Sequence, residues 1–360
     1  MPRAVLDMMD RRPIWAMPSW VPKEIRSSLP EEWELVIIDE LTDGSGDGAT
    51  PITRPMSPAI LEVTTKADLY FGYGVPAELL EAAPGLRWVH SGAAGVGSSL
   101  TQPMLESDVI FTNSARVHAK PMAETVLAMI LYFGRGLDLA VANQKKSIWD
   151  TEPYYTEGAP LNELSELTVG VLGFGGVGYE VSLRVASLGA RVVALKRTSL
   201  LEDEDVVPAA EGVLAGTLEL LSGDEGFRTC LAQSDVLVLA VPDTPETRGM
   251  MDREAFSWMK QGAVLINVAR GKLIDEEALI DALNTGKLRG AALDVFQKEP
   301  LRGDHELWDH SKVLITPHVS AVSRGFWRRE TDLILHNLQC YLEGYPLKEW
   351  HNVVNKAAGY

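Results

Sequence analysis

Cysteine is scarce: Cys230 and Cys340 are the only two in 360 residues, and neither lies in a C-x-x-C or Cys/His cluster. That excludes a disulfide framework or a zinc scaffold as the basis of the fold, and it fits a reducing compartment. Positive charge is also in short supply, with 33 Lys and Arg against 50 Asp and Glu and a formal net charge of −17. Counterion displacement from nucleic-acid phosphates needs a basic face, so non-specific nucleic-acid binding is not expected. The same deficit removes long-range attraction for an anionic ligand, which must then be held by local cations and amides. Long apolar runs are missing too. The longest, Val126 to Phe133, is too short to cross a bilayer, and the first residues, Met1 to Asp7, lack the apolar stretch of a signal peptide. The expectation is a cytoplasmic protein with no membrane partner.

What remains is an ordinary globular composition, 46% hydrophobic and 23% charged, able to build a sizeable core. The length suggests two domains. Short apolar runs alternate with helical patterns almost from end to end, which predicts βαβ units and parallel sheets, an α/β fold. In the first third, residues 14–17, 35–38, 69–71 and 88–90 read as strands and 76–81 as a helix opened by its proline. Residues 42–55, rich in Gly, Asp, Thr and Pro, read as a surface loop. Residues 122–130 form a helical pattern apolar nearly all round, which predicts burial here or against a partner subunit. A second, more regular series of strands is expected at 168–172, 192–195, 236–240, 264–267, 291–293 and 313–315. Six strands with intervening helices fit a doubly wound dinucleotide-binding domain. A last helix is expected over roughly 326–342.

The string Gly173-Phe174-Gly175-Gly176-Val177-Gly178 follows the first strand of that series and opens a helical stretch. The first glycine permits the tight turn, the second lets backbone approach a pyrophosphate, and the third lets the helix pack closely on the strand. Amides at the helix N-terminus then bind the phosphates. G-x-G-x-x-G alone is a weak signal; here the strand before it, the helix after it and the position of the next strand all agree. That next strand ends in Lys196-Arg197-Thr198, where users of NAD commonly place an acid. Two cations and a hydroxyl suit a 2′-phosphate, so NADP(H) is expected in preference to NAD(H).

Three later strand ends carry ionisable residues: Arg270 in Asn267-Val268-Ala269-Arg270-Gly271, Glu299 in the segment from Asp294 to Pro300, and His318 after Thr316-Pro317. Carboxyl ends of parallel strands are where doubly wound folds place their sites. Reduction of a 2-keto acid needs a forked cation for the carboxylate and ketone, which suits Arg270. It needs a group that exchanges protons near neutral pH, which suits His318, and a carboxylate to orient that imidazole, which suits Glu299. Singly, each residue has a duller explanation as a surface ion pair, a loop acid or a structural histidine. Their joint order after the glycine turn points to chemistry.

Together with Val241-Pro242-Asp243-Thr244-Pro245-Glu246-Thr247-Arg248-Gly249 and Ala292-Leu293-Asp294-Val295, these motifs resemble the D-isomer-specific 2-hydroxyacid dehydrogenases over nearly the whole chain. The resemblance implies that Arg270, Glu299 and His318 are catalytic and that Asp294 contacts the nicotinamide side of the cofactor. It also implies that Pro242, Thr247 and Val268 belong to the cofactor site. Gly92-Ala93-Ala94-Gly95-Val96-Gly97 is similar to the family loop whose amides, here those of Ala94 and Gly95, hold the substrate carboxylate. The implied fold is two Rossmann-like or flavodoxin-like domains with an interdomain active-site cleft. Residues 1–116 plus 322–360 would bind substrate and 117–321 the dinucleotide, with a homodimer formed through the latter and residues 122–130 in the dimerisation region. Departures from the family pattern are Gly97 where many members have Asp, Lys120-Pro121 before Ala123-Glu124, and the long 42–55 segment.

The implied substrate is a small 2-keto acid, glyoxylate or hydroxypyruvate first. Phosphoglycerate oxidation with NAD is a rival that Lys196 and Arg197 disfavour. Formate oxidation would not need the Glu299–His318 pair. A nucleotide-sensing scaffold, like the corepressors that resemble this family, is a rival from outside enzymology. No metal is expected: His305 and His310 lie at i and i+5, too far apart around a helix for a zinc pair.

Overall fold

The computed structural model describes residues 1–41, 56–159, 161–197 and 214–359. The chain forms two compact units, Met1–His118 with Val322–Tyr360, and Ala119–Ala321.

The first unit is built on five parallel strands, β1 (Arg3–Asp7), β2 (Glu34–Ile37), β3 (Leu69–Gly72), β4 (Trp88–Ser91) and β5 (Ile110–Asn113), in the order β2-β1-β3-β4-β5. Both faces are covered, which is why the strands read as continuous apolar runs rather than alternating ones. Ala4, Leu6, Leu69, Phe71 and Trp88 pack with Val21 and Ile25 of the helix Trp20–Ser28 and with Ile334 and Leu338 of the helix Phe326–Glu343. Val5, Tyr70 and Val89 point the other way, toward Ile60, Leu79 and Met104.

Residues 14–17, expected as a strand, form a turn in which the Trp15 and Ala16 amides both donate to the Arg12 carbonyl, at 2.9 and 3.1 Å. Its apolar content anchors the turn instead: the Trp15 ring packs edge-on against Phe326 and His118. The first strand lies earlier, at Arg3–Asp7, and β5 was also not anticipated because half of Ile110–Asn113 is polar. The 42–55 segment lies outside the described residues.

One polar network crosses this core. His90, Thr112, Ser114 and Glu330 are all fully buried. His90 Nε2 lies 2.8 Å from Glu330 Oε1, its Nδ1 lies 2.8 Å from Thr112 Oγ1, and Ser114 Oγ donates to both Glu330 oxygens at 2.9 and 2.8 Å. Trp88 Nε1 donates to Thr112 Oγ1 at 2.8 Å. The network pins the helix Phe326–Glu343 to the ends of β4 and β5. Farther along that helix, Asn337 exchanges two hydrogen bonds with the His351 backbone, at 2.8 and 2.9 Å, and so folds the C-terminal segment back onto the unit.

The second unit holds seven parallel strands, β6 (Thr168–Leu172), β7 (Arg191–Leu195), β8 (Leu218–Leu221), β9 (Val236–Leu239), β10 (Ala263–Asn267), β11 (Leu288–Leu293) and β12 (Val313–Ile315). The order β12-β11-β10-β9-β6-β7-β8 is doubly wound, with its switch point between β6 and β9. All six expected strands are present, and β8 is an additional edge. The helix Ala119–Gly134 contains the expected 122–130 segment but buries one face, through Ala123, Val126, Ile130 and Phe133 at helical spacing, within its own unit.

Both cysteines are buried; burial pushes the Cys230 thiol up to about 12 and raises that of Cys340, so neither forms a reactive thiolate at neutral pH. Among the described residues, no single helix is long and apolar enough to cross a membrane.

Removing Glu330 leaves the buried His90 and Ser114 side chains without their hydrogen-bond partner, at a cost of about 1–3 kcal/mol. Glu330→Ala is therefore expected to destabilise the first unit by that amount in chemical unfolding followed by tryptophan fluorescence. A loss under about 1 kcal/mol would show that the network does not hold the helix.

Candidate active site

The glycine turn sits at the switch point. Gly173 follows β6 with φ 99°, and a Cβ there would lie 2.6 Å from the Ala240 carbonyl oxygen just past β9. At Gly178 a Cβ would lie 1.9 Å from the Gly173 carbonyl oxygen, so no other residue lets the helix Gly176–Ser187 seat on the turn. Gly175 is different. It precedes the helix, and an added Cβ would meet nothing within 4 Å. The fold itself does not demand glycine there, whereas a ligand backed against the helix N-terminus would. Phe174 and Val177 turn their side chains into the core, so only their backbones face that end.

On one side of the turn, β7 leads into Lys196, whose amide donates to the Leu221 carbonyl at 2.9 Å, and into exposed Arg197. Thr198 lies outside the described residues. On the other side is the loop after β9. There Thr247 Oγ1 donates to the Pro242 carbonyl at 2.7 Å and accepts from the Thr244 amide at 2.9 Å, so Pro242 and Thr247 shape the loop. Hydrogen bonds from Thr244 and the Glu246 amide, with a smaller contribution from the Arg197 charge, hold the Glu246 carboxyl below its usual range.

Arg270 leaves the end of β10. Asn267, fully buried, accepts from the Ala269 amide at 3.0 Å and donates to the Arg270 carbonyl at 2.9 Å, and the Arg270 guanidinium donates to the Ala269 carbonyl at 2.7 Å. Val268 is core. A Cβ on Gly271 would lie 1.9 Å from the Phe296 carbonyl carbon, so glycine is what lets the arginine turn lie against the segment that leads to Glu299.

Asp294 follows β11 and is fully buried. One carboxylate oxygen accepts from the Thr316 hydroxyl at 2.5 Å and the Val319 amide at 2.9 Å, the other from the Ser320 amide at 3.0 Å. Its carbonyl accepts from the His318 amide at 2.8 Å. Every observed partner of this carboxylate lies in the loop that carries His318. That loop places His318 at φ 55°, a left-handed conformation that costs a non-glycine residue on the order of 1–3 kcal/mol. Glu299 Oε1 accepts from the Phe296 amide at 2.9 Å, and Oε2 lies 2.7 Å from His318 Nδ1. Both side chains are partly open to solvent. With Nδ1–H directed at Glu299, Nε2 is the nitrogen available to exchange a proton.

The structure thus brings Glu299 and His318 into contact and puts Arg270 at the exit of β10, beside β11, which leads to Glu299. In the first unit, the loop after β4 is packed tightly: a Cβ on Gly92 would lie 2.6 Å from Met8 Cε and 2.9 Å from Tyr73 Cε1. Ala94 is exposed, its carbonyl accepts from Asn113 at 2.8 Å, and among the described residues neither the Ala94 nor the Gly95 amide donates a hydrogen bond. No group of three or more His, Cys, Asp or Glu is placed to hold a metal among the described residues. Asn267 and Gly271 were visible only as letters in a motif; their contacts depend on which strands are neighbours.

A doubly wound sheet with a glycine turn at its switch point defines a dinucleotide-binding protein. Residues 127–320 match the family model for the D-isomer specific 2-hydroxyacid dehydrogenase NAD binding domain, and the chain belongs to the D-isomer-specific 2-hydroxyacid dehydrogenase family. It is 32% identical over 285 residues to a hydroxypyruvate reductase of Blautia hydrogenotrophica, covering 78% of this chain and 82% of that one. It is 36% identical over 247 residues to a D-3-phosphoglycerate dehydrogenase of Mycobacterium leprae, covering 69% of this chain but only 43% of that relative, so it spans less than half of the latter's length. Among solved structures, the NADPH-dependent glyoxylate/hydroxypyruvate reductase of Sinorhizobium meliloti, in complex with NADP and sulfate, superposes with a TM-score of 0.75 at 25% identity over 100% of both chains.

Proposed function

We propose that the protein reduces a small 2-keto acid, glyoxylate or hydroxypyruvate, to the D-2-hydroxy acid with NADPH. The observation that carries this is the Glu299–His318 contact of 2.7 Å between the segments after β11 and β12, with Arg270 leaving β10 on the other side of β11. Gly173 to Gly178 would hold the pyrophosphate and Lys196 and Arg197 the 2′-phosphate. The open space at Gly175 fits such a group. When bound, the reduced nicotinamide supplies the hydride that adds to carbon 2. Arg270 binds the carboxylate through its fork and polarises the keto oxygen. His318 Nε2 releases its proton to that oxygen, Glu299 stabilises the imidazolium beforehand, and solvent reprotonates the ring afterwards. Asp294 keeps His318 in its left-handed backbone state throughout.

NADPH is favoured by the two cations at the end of β7 and by the S. meliloti enzyme determined with NADP. The second reading, oxidation of phosphoglycerate, is supported by the M. leprae relative. Loss of reduced-nicotinamide absorbance, with NADPH and NADH crossed against glyoxylate, hydroxypyruvate, pyruvate and phosphohydroxypyruvate, separates the two. Turnover of none of them would favour a nucleotide-sensing scaffold.

Three expectations follow from the assignments. His318→Ala lowers kcat about 10²–10⁴-fold while NADPH binding, read by fluorescence titration, changes little. Retained turnover removes His318 from the reaction. Arg197→Glu raises the KM for NADPH by about 10–100-fold, the worth of a charge-assisted hydrogen bond, and leaves that for NADH almost unchanged. Equal effects on both cofactors would cancel the 2′-phosphate assignment.

The third concerns assembly. The helix Leu137–Lys145 buries no residue, and Trp149 and Tyr155 beyond it are 95% and 84% exposed, with Leu137, Val141 and Ile148 also exposed. Such an apolar stretch marks an interface, and we assign it to a homodimer. Light scattering should give twice the chain mass for the wild type and the chain mass for Trp149→Asp. A wild-type monomer rules the assignment out.

A further inference from the structure

We infer that Asn267 is a positioning residue for Arg270, and that through Asp294 it joins the arginine turn and the histidine loop into one mechanical unit. The inference rests on the proposed role of Arg270 at the substrate carboxylate.

Asn267 is the last residue of β10 and is fully buried. Its side chain makes two bonds within the next three residues, accepting from the Ala269 amide at 3.0 Å and donating to the Arg270 carbonyl at 2.9 Å. Its own backbone carbonyl accepts from the Asp294 amide at 3.0 Å, one strand over. Asp294 in turn holds Thr316, Val319 and Ser320 through its carboxylate and His318 through its carbonyl. An unbroken hydrogen-bonded path therefore runs from the backbone that aims the guanidinium to the backbone that aims the imidazole.

The residue type is restrictive. Closing both bonds takes a donor and an acceptor on two separate atoms at this reach, which the asparagine amide supplies through Nδ2 and Oδ1. Asn267→Asp keeps the shape and the acceptor but loses the donor, and sets a carboxylate oxygen against the Arg270 carbonyl oxygen. Arg270 also spends one guanidinium nitrogen on the Ala269 carbonyl, at 2.7 Å, so both carbonyls of the turn are engaged and a shift of the turn redirects the whole side chain. Gly271 leaves no room for the turn to relax toward Phe296. An ordinary turn-forming asparagine would lower stability when replaced but would not act through one particular side chain.

A double-mutant cycle separates these roles. Wild type, Asn267→Asp, Arg270→Ala and the double variant are titrated, each saturated with NADPH, with oxamate as an unreactive 2-keto acid isostere, and assayed on the best substrate of the panel. Asn267→Asp should raise the oxamate Kd and the substrate KM about tenfold, the worth of one buried hydrogen bond, with the NADPH Kd within about twofold. The double variant should bind oxamate no more weakly than Arg270→Ala alone. Asn267→Ser, which keeps a shorter donor, should show the same pattern more mildly and guards against a misfolded aspartate variant. Additive penalties in the double variant, or a loss of NADPH binding as large as the loss of oxamate binding, would overturn the inference alone. A wild type that turns over no 2-keto acid would overturn the proposed function and this inference with it.

Discussion

A carboxylate with no exposure to water, Asp294, is the group on which the arrangement around His318 depends. Taking an anion out of water costs several kcal/mol unless donors replace the solvent. Here the donors are one hydroxyl and two amides, all from the loop of residues 316–320, so the carboxylate is stable only when that loop is wrapped around it. The wrapping forces His318 to φ 55°, a state it would leave if the loop were free. From that state Nδ1 meets Glu299 at 2.7 Å, and the other ring nitrogen is left for proton exchange. The geometry of the pair is thus inherited from a buried acid that need not touch a ligand.

Close approach of backbones plays the complementary part. Gly173 against Ala240, Gly178 against Gly173 and Gly271 against Phe296 are three places where a single methyl group would collide with a neighbouring main chain. Each is set by packing inside the second unit. Gly175, with open space above it, is the exception, and its freedom from packing is the best structural argument for a ligand at the helix N-terminus. The first unit relies on a different device, the enclosed His90–Glu330 pair with Ser114 and Thr112, which secures a helix from the far end of the chain to β4 and to the edge strand β5.

Much of this was legible in the sequence, for identifiable reasons. The six strands from Thr168 to Ile315 are apolar runs punctuated by loops, and the glycine turn and the residues Arg270, Glu299 and His318 each follow such a run. The failures were equally specific. Residues 14–17 carry a strand's composition but serve as a turn, because Trp15 finds its apolar contacts with Phe326 more than 300 positions away. The strand Ile110–Asn113 was missed because it is half polar, and Leu218–Leu221 because Glu219 interrupts its apolar run. The 122–130 segment, apolar nearly all round, does form a helix, and it encloses one face within its own unit.

The sequence by itself determined the class of fold, the dinucleotide turn and the three side chains suited to 2-keto acid chemistry, because these follow from local periodicity and from residue types whose chemistry is intrinsic. Tertiary structure alone decided that Asp294 closes on the histidine loop, that Asn267 closes on the arginine turn, and that Glu330 meets His90 across 240 positions of chain. Those contacts depend on strand order and on which backbones come near enough to donate or to collide. Neither is encoded in any single stretch of residues.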